Sequence, residues 1–114
     1  MRILIALNEN KGMDSKLSEH FGHCKIFGVY DIEEKKLSFI ENKLDHSNAS
    51  LTPVDQIMVH KPDIVFSLGM GERAKNLFSK EGVEVKSGNF LTLKDVLDNV
   101  DSLIDLNSSC DHSC

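Results

Sequence analysis

The chain has 114 residues, 40% apolar and 27% charged: enough for one buried core, too few for two ordinary domains. Its formal net charge is −5, with no basic run longer than Lys35-Lys36, a poor match to the cationic surface that generic nucleic-acid binding needs. The apolar run at residues 3–7 is too short for a secretion core or a membrane span, so a cytoplasmic setting with no membrane partner is expected.

Residues 1–7 read as a continuous apolar strand, buried on both faces near the centre of a sheet. Residues 8–23 are polar and contain glycine, and read as a loop with a helical turn near residues 15–18. Residues 25–32 are rich in β-branched and aromatic side chains, a second strand. After a turn at residues 33–35, residues 36–42 return as its antiparallel partner, with Leu37 and Phe39 on one face. Residues 45–50 are loop-like.

From Thr52 the period changes. Thr52-Pro53-Val54-Asp55 supplies a hydroxyl cap, a proline at the first helical position and a carboxylate in the first turn. Val54, Ile57 and Met58 form the apolar stripe of that helix, and Pro62 stops it. Residues 63–68 read as another buried strand. Gly69-Met70-Gly71 then turns directly into a helix whose Ala74, Leu77 and Phe78 share a face, ending at Gly82. Residues 83–85 are a short strand. Thr92 with Asp95 caps a last helix, and Leu93, Val96, Leu97, Val100, Leu103 and Ile104 keep the helical period, which predicts that it reaches about Leu106. The order β-β-β-α-β-α-β-α predicts an α/β fold: a three-strand meander extended by two parallel strands through helical crossovers. One domain is expected over residues 1–106, followed by a flexible Cys/His tail at residues 107–114.

That tail carries the densest chemistry. Cys110, His112 and Cys114 alternate along five residues, and thiolate and imidazole are the ligands selected by zinc, copper(I) and iron–sulfur clusters. In a cytoplasmic chain such cysteines are expected as thiols or metal ligands rather than disulfides. Three ligands leave a tetrahedral site one short, and Cys24 or a nearby histidine is the available fourth. The competing reading is a frayed terminus in which ligand-type residues merely neighbour one another. The second candidate segment, Ser18-Glu19-His20-Phe21-Gly22-His23-Cys24, lies just before the second strand, where Phe21 is expected to anchor the loop and Gly22 to turn it. Its bland alternative is a buried Cys24 with surface histidines. Gly69-Met70-Gly71-Glu72-Arg73-Ala74 is a glycine-bearing strand-to-helix turn, more a close-packing device than a dinucleotide fingerprint. His60, at a helix end, has a structural explanation, and His46 is isolated. No phosphate loop, zinc-protease or serine-hydrolase motif occurs, and the first strand lacks a carboxylate, so a non-enzymatic role is expected.

These segments resemble the dinitrogenase iron–molybdenum cofactor biosynthesis family, the small domains that carry or accept nitrogenase cofactor precursors. The resemblance rests on Met1-Arg2-Ile3-Leu4-Ile5-Ala6, on Ser18 through Cys24 running into Lys25-Ile26-Phe27, on Pro62-Asp63-Ile64-Val65, on the Gly69–Ala74 segment and on Glu81-Gly82-Val83-Glu84-Val85. It implies a ribonuclease-H-like, three-layer α/β fold, with a five-stranded mixed sheet in the order 3-2-1-4-5, strand two antiparallel, and about three helices. It further implies that an iron–sulfur or iron–molybdenum-type cluster binds near His20, Phe21, Gly22, His23, Cys24, Gly69 and Gly71, with cofactor-assembly proteins as partners. Residues 44–50 stand where many relatives have a glycine-rich stretch. A carrier whose cluster meets Cys24 under a flap of Cys110, His112 and Cys114 is the leading expectation. A structural zinc site on Cys24 and the tail is the alternative, and an enzyme acting on phosphorylated or nucleic substrates is the third.

Overall fold

A computed structural model describes residues 1–21, 24–42 and 53–105. The elements are β1 (Arg2–Leu7), β2 (Ile26–Asp31), β3 (Lys36–Glu41), α1 (Pro53–Met58), β4 (Ile64–Phe66), α2 (Glu72–Lys80), β5 (Glu84–Ser87), α3 (Leu93–Asp98) and β6 (Ile104–Asp105). They build one sheet in the order β3-β2-β1-β4-β5-β6. The first five strands therefore stand in the expected 3-2-1-4-5 order. β2 runs antiparallel to both β1 and β3, while β4 and β5 join parallel to β1 through helical crossovers.

Burial explains why β1 is central. Residues 3–7 are essentially inaccessible, because a strand with neighbours on both edges and helices on both faces has no solvent side. Alternation along β1 feeds two cores. Leu4 and Ala6 join Phe21, Cys24, Phe27, Val54, Ile57 and Phe78 on the face covered by α1 and α2. Ile3, Ile5 and Leu7 join Leu17, Phe66, Leu93 and Val96 on the face covered by α3. The three layers are thus α1/α2, sheet, α3.

Two local expectations are corrected. The last helix does not reach Leu106: α3 ends at Asp98, a 3-10 turn follows at Val100–Ser102, and Ile104–Asp105 pairs antiparallel with Lys86 and Ser87 as β6. The helical period at Val100, Leu103 and Ile104 lost to an unpaired edge of β5, whose backbone groups need partners. No helical turn forms near residues 15–18 either. Ser15 Oγ instead donates to Gly12 O at 2.7 Å and accepts from Lys11 N at 2.8 Å. Leu17 bridges Leu7, and Lys16 bridges Thr92. A buried serine bonding its own backbone competes with the helix for those groups. The predicted stop of α2 is found: Gly82 has φ +76°, with Val83 N donating to Phe78 O at 2.9 Å and Gly82 N to Ser79 O at 3.1 Å. The Thr52 cap and His46 lie outside the described residues.

Candidate functional site

Chain direction brings the candidate residues to one end of the sheet. β1 and β4 are parallel neighbours, so the segments that leave their C-terminal ends, residues 8–21 and 67–71, emerge side by side. This is the end of an open α/β sheet where ligands usually sit.

The two segments are built alike. Ser18 Oγ accepts from His20 N at 3.2 Å and donates to His20 O at 3.1 Å. Ser67 Oγ accepts from Gly69 N at 3.3 Å and donates to Gly69 O at 2.7 Å. Both serines are buried, so each hydroxyl satisfies a tight turn that the sheet cannot. The turns also lock together: Phe21 N donates to Gly69 O at 3.2 Å, and Ser18 N to Ala6 O at 3.0 Å. Phe21 anchors the loop as expected. Its ring lies 5.2 Å from that of Phe27 and 5.6 Å, edge-on, from that of Phe78.

Cys24 is buried at 4% exposure within the α1/α2-side core. Asn42 Nδ2 donates to its carbonyl oxygen at 2.7 Å and lies 3.9 Å from Sγ. Desolvation by burial pushes the thiol pKa up to about 11, so Cys24 is a neutral thiol at physiological pH. His20 is exposed at the loop's lip. Gly71 caps α2 without a side-chain hydrogen bond, and Gly69 is the contact point of the two turns. Gly22, His23, Cys110, His112 and Cys114 lie outside the described residues. Among the described residues no group of three or more His, Cys, Asp and Glu side chains is arranged to hold a metal ion.

A crevice of about 540 Å³ opens beside the Ser18–His20 turn. Its lining has a polar part, Asn8, Lys16, Ser18, Glu19, His20 and Thr92, and an apolar part, Leu17, Leu68, Phe90 and Leu91. The size suits a small ligand or inorganic cluster. Cys24 does not line it. Sequence reading missed Lys16, Phe90 and Leu91; the one available signal was Phe90-Leu91, an apolar pair immediately before a helix cap.

A second depression, about 490 Å³, lies at the opposite end of the sheet and has a structural account. Arg2, Asp31 and Lys36 stand in register across β1, β2 and β3, an alternating charge ladder on one face. The Glu34 N–H and the nearby N-terminal ammonium and Arg2 charges hold the Asp31 carboxyl below its ordinary range.

No curated protein matches the chain. Among solved structures, PH0822 is similar at 27% identity over 92% of this chain and 96% of that one, with a TM-score of 0.76. The Thermotoga protein TM1290, a candidate NifB protein of the DUF35 family, matches at 24% identity over 92% of each chain with a TM-score of 0.74. A candidate dinitrogenase of Methanocaldococcus jannaschii matches at 20% identity, covering 93% of this chain and 94% of that one, with a TM-score of 0.69. Those last two likenesses establish shared fold. The family model described as dinitrogenase iron–molybdenum cofactor matches residues 1–103, nearly the whole described sheet and its helices, and the chain belongs to that family.

Proposed function

We propose that the protein is a non-enzymatic carrier or accessory protein that binds an iron–sulfur or iron–molybdenum-type cluster and exchanges it with cofactor-assembly proteins. One observation carries the reading: a crevice of about 540 Å³ at the C-terminal ends of β1 and β4, beside the family segment Ser18–Phe21, in a chain of the dinitrogenase iron–molybdenum cofactor family. In this reading the cargo lies near His20, Phe21, Gly22, His23, Cys24, Gly69 and Gly71. His20 offers an imidazole at the lip, whereas Phe21 and Gly69 act by fixing the loop. Ligation by Cys24 requires the metal to displace its thiol proton and the loop to turn the sulfur out of the core.

The tail supplies the remaining ligands, Cys110, His112 and Cys114, as a flap. Chain reach ranks them. β6 stands four strand spacings from β2, about 19 Å. Cys114 is nine residues beyond Asp105 and spans at most about 31 Å, while Cys110, five residues beyond, spans about 17 Å. Cys114 is therefore the tail thiol better able to meet a cluster shared with Cys24.

Anaerobic reconstitution with iron and sulfide tests the proposal. The wild type should gain a charge-transfer band in the visible spectrum. An equal band in the Cys24→Ser, Cys110→Ser, Cys114→Ser triple variant would remove cysteine ligation. Stoichiometric zinc in the purified protein, with a chelator-dependent melting temperature, would replace the carrier reading by a structural zinc site.

A further inference from the structure

We propose that Phe90, seated on Gly88, is a specificity-determining wall of the crevice and restricts its occupant to a ligand with a polarizable, weakly hydrated face. A Cβ on Gly88 would lie 2.8 Å from Phe90 Cδ2 and closer still to Cε2, so the ring occupies space that any other residue at position 88 would fill. Behind it stands the fully buried Phe66, with ring centroids 6.2 Å apart and planes tilted by 41°.

The backbone around the ring is equally fixed. Leu17 N donates to Leu91 O at 3.1 Å, tying the Phe90-Leu91 pair to the segment that follows β1. The Asp95 carboxylate accepts from Leu91 N at 3.3 Å and Thr92 N at 3.2 Å. Phe90 is therefore held in place before any ligand arrives, and Leu91 beside it is 78% exposed at the rim.

The wall selects by solvation. The lining carries one ammonium, Lys16, and one carboxylate, Glu19, and the Ser18 hydroxyl is engaged by His20. A hydrated cation or a phosphate seated against Phe90 and Leu91 would shed water against hydrocarbon, which gives no hydrogen bond in exchange. A body of diffuse charge loses little hydration and gains dispersion contact with an aromatic face. A sulfide-rich inorganic cluster and an aromatic sulfonate both have that surface. The cluster as natural occupant rests on the carrier reading above, but the wall is tested without it.

The probe is 8-anilinonaphthalene-1-sulfonate, titrated into the full chain by fluorescence and mapped by amide chemical shifts. The wild type should bind it saturably, with shifts at Lys16, His20, Leu91 and Thr92. Phe90→Ala should weaken binding about tenfold, the equivalent of one lost ring contact. Gly88→Ala should do the same although the phenyl ring is retained, because the ring loses its seat. Phe90→Leu should stay within about threefold, and Val59→Ser, at an exposed residue outside the crevice, should change nothing. Melting curves establish that each variant is folded, and Gly88→Ala with Phe90→Leu carry the comparison if Phe90→Ala is not. Absent saturable binding, shifts confined elsewhere, or wild-type affinity in a folded Phe90→Ala or in Gly88→Ala would overturn the proposal. Failed cluster reconstitution with these dye results intact would defeat the carrier reading and leave the wall standing.

Discussion

The Glu19 carbonyl oxygen lies 2.5 Å from where a Cβ on Gly69 would stand. The two residues belong to different connections, β1 to β2 and β4 to α2, that leave the same end of the sheet, and their backbones approach too closely for a side chain at position 69. The contact is possible because each turn satisfies its own polar groups through Ser18 or Ser67 and so needs no water between them. Removing side-chain bulk at position 69 is what positions the crevice lip.

Gly69→Ala should consequently be destabilising, since the obstructing atom is backbone and cannot rotate away. Overpacking of this kind costs about 1–3 kcal/mol, several degrees of melting temperature for a domain of this size. Differential scanning calorimetry of the variant checks it. An unchanged melting temperature would mean that the Ser18–Phe21 turn floats free of the Gly69 turn. The same variant should alter amide shifts at Glu19 and His20 more than at β3.

Cys24 sets an alkaline limit on stability. Its folded pKa is raised from 9.0 to about 11, so the folded state holds the thiol proton more tightly than the unfolded chain. The resulting stability is fully present below pH 9 and is lost as pH rises through 11, by on the order of 2 kcal/mol. Wild type and Cys24→Ala should therefore converge in denaturant midpoint between those pH values. Parallel pH profiles for the two proteins would show that the thiol titrates alike in the folded and the unfolded chain. In the Cys110→Ser, Cys114→Ser background, native Cys24 should also alkylate slowly, and quickly once unfolded in urea.

The parts legible in the sequence are those fixed by short-range pattern. The apolar run at residues 3–7 reads as a strand buried on both faces and is one, and Gly82 could end α2 because its backbone conformation is local. Thr92 and Asp95 announced a capping box, and the structure holds both of its hydrogen bonds. What failed was decided at long range. Ile104 has a helical period with Val100 and Leu97, but its fate was set by an open edge on β5 that no local window contains. The crevice was invisible for the same reason: Lys16 and Phe90 are 74 residues apart in sequence, and their segments meet through the Lys16–Thr92 bridge and the Leu17–Leu91 hydrogen bond. Cys24 reads identically as ligand or core residue until its neighbours are known, and those neighbours are Phe21, Phe27 and Val54.

The capping box ties crevice stability to acid. The Thr92 and Leu91 N–H groups hold the Asp95 carboxyl below its ordinary value of 3.8. A depressed pKa stabilises above the unfolded value and is lost as pH falls through the folded one, so the apolar wall should hold at neutral pH and loosen only below about pH 4. Amide exchange at Leu91 and Thr92 should accelerate there in the wild type. Asp95→Asn should exchange faster already at neutral pH and lose the acid step. Thr92→Ala, which removes the other half of the box, should cost about 1 kcal/mol. An acid step that persists in Asp95→Asn would assign the effect to another carboxylate.

Phe21 couples the crevice to the opposite core. It is the one aromatic residue of the segment before β2, and its ring is clamped between Phe27 and Phe78 while its backbone N–H holds Gly69. Truncation to alanine should remove about 3–5 kcal/mol through lost contact and the cavity left behind, enough to unfold a marginal domain. Phe21→Leu keeps most of the volume and should cost about 1.5 kcal/mol while staying folded. In that variant the Cys24 thiol should become more accessible, since both side chains share one cluster. Alkylation in the background lacking Cys110 and Cys114 measures it: a rate several times that of the parent supports the coupling. An unchanged rate would mean that Cys24 is shielded by β1 and β2 alone.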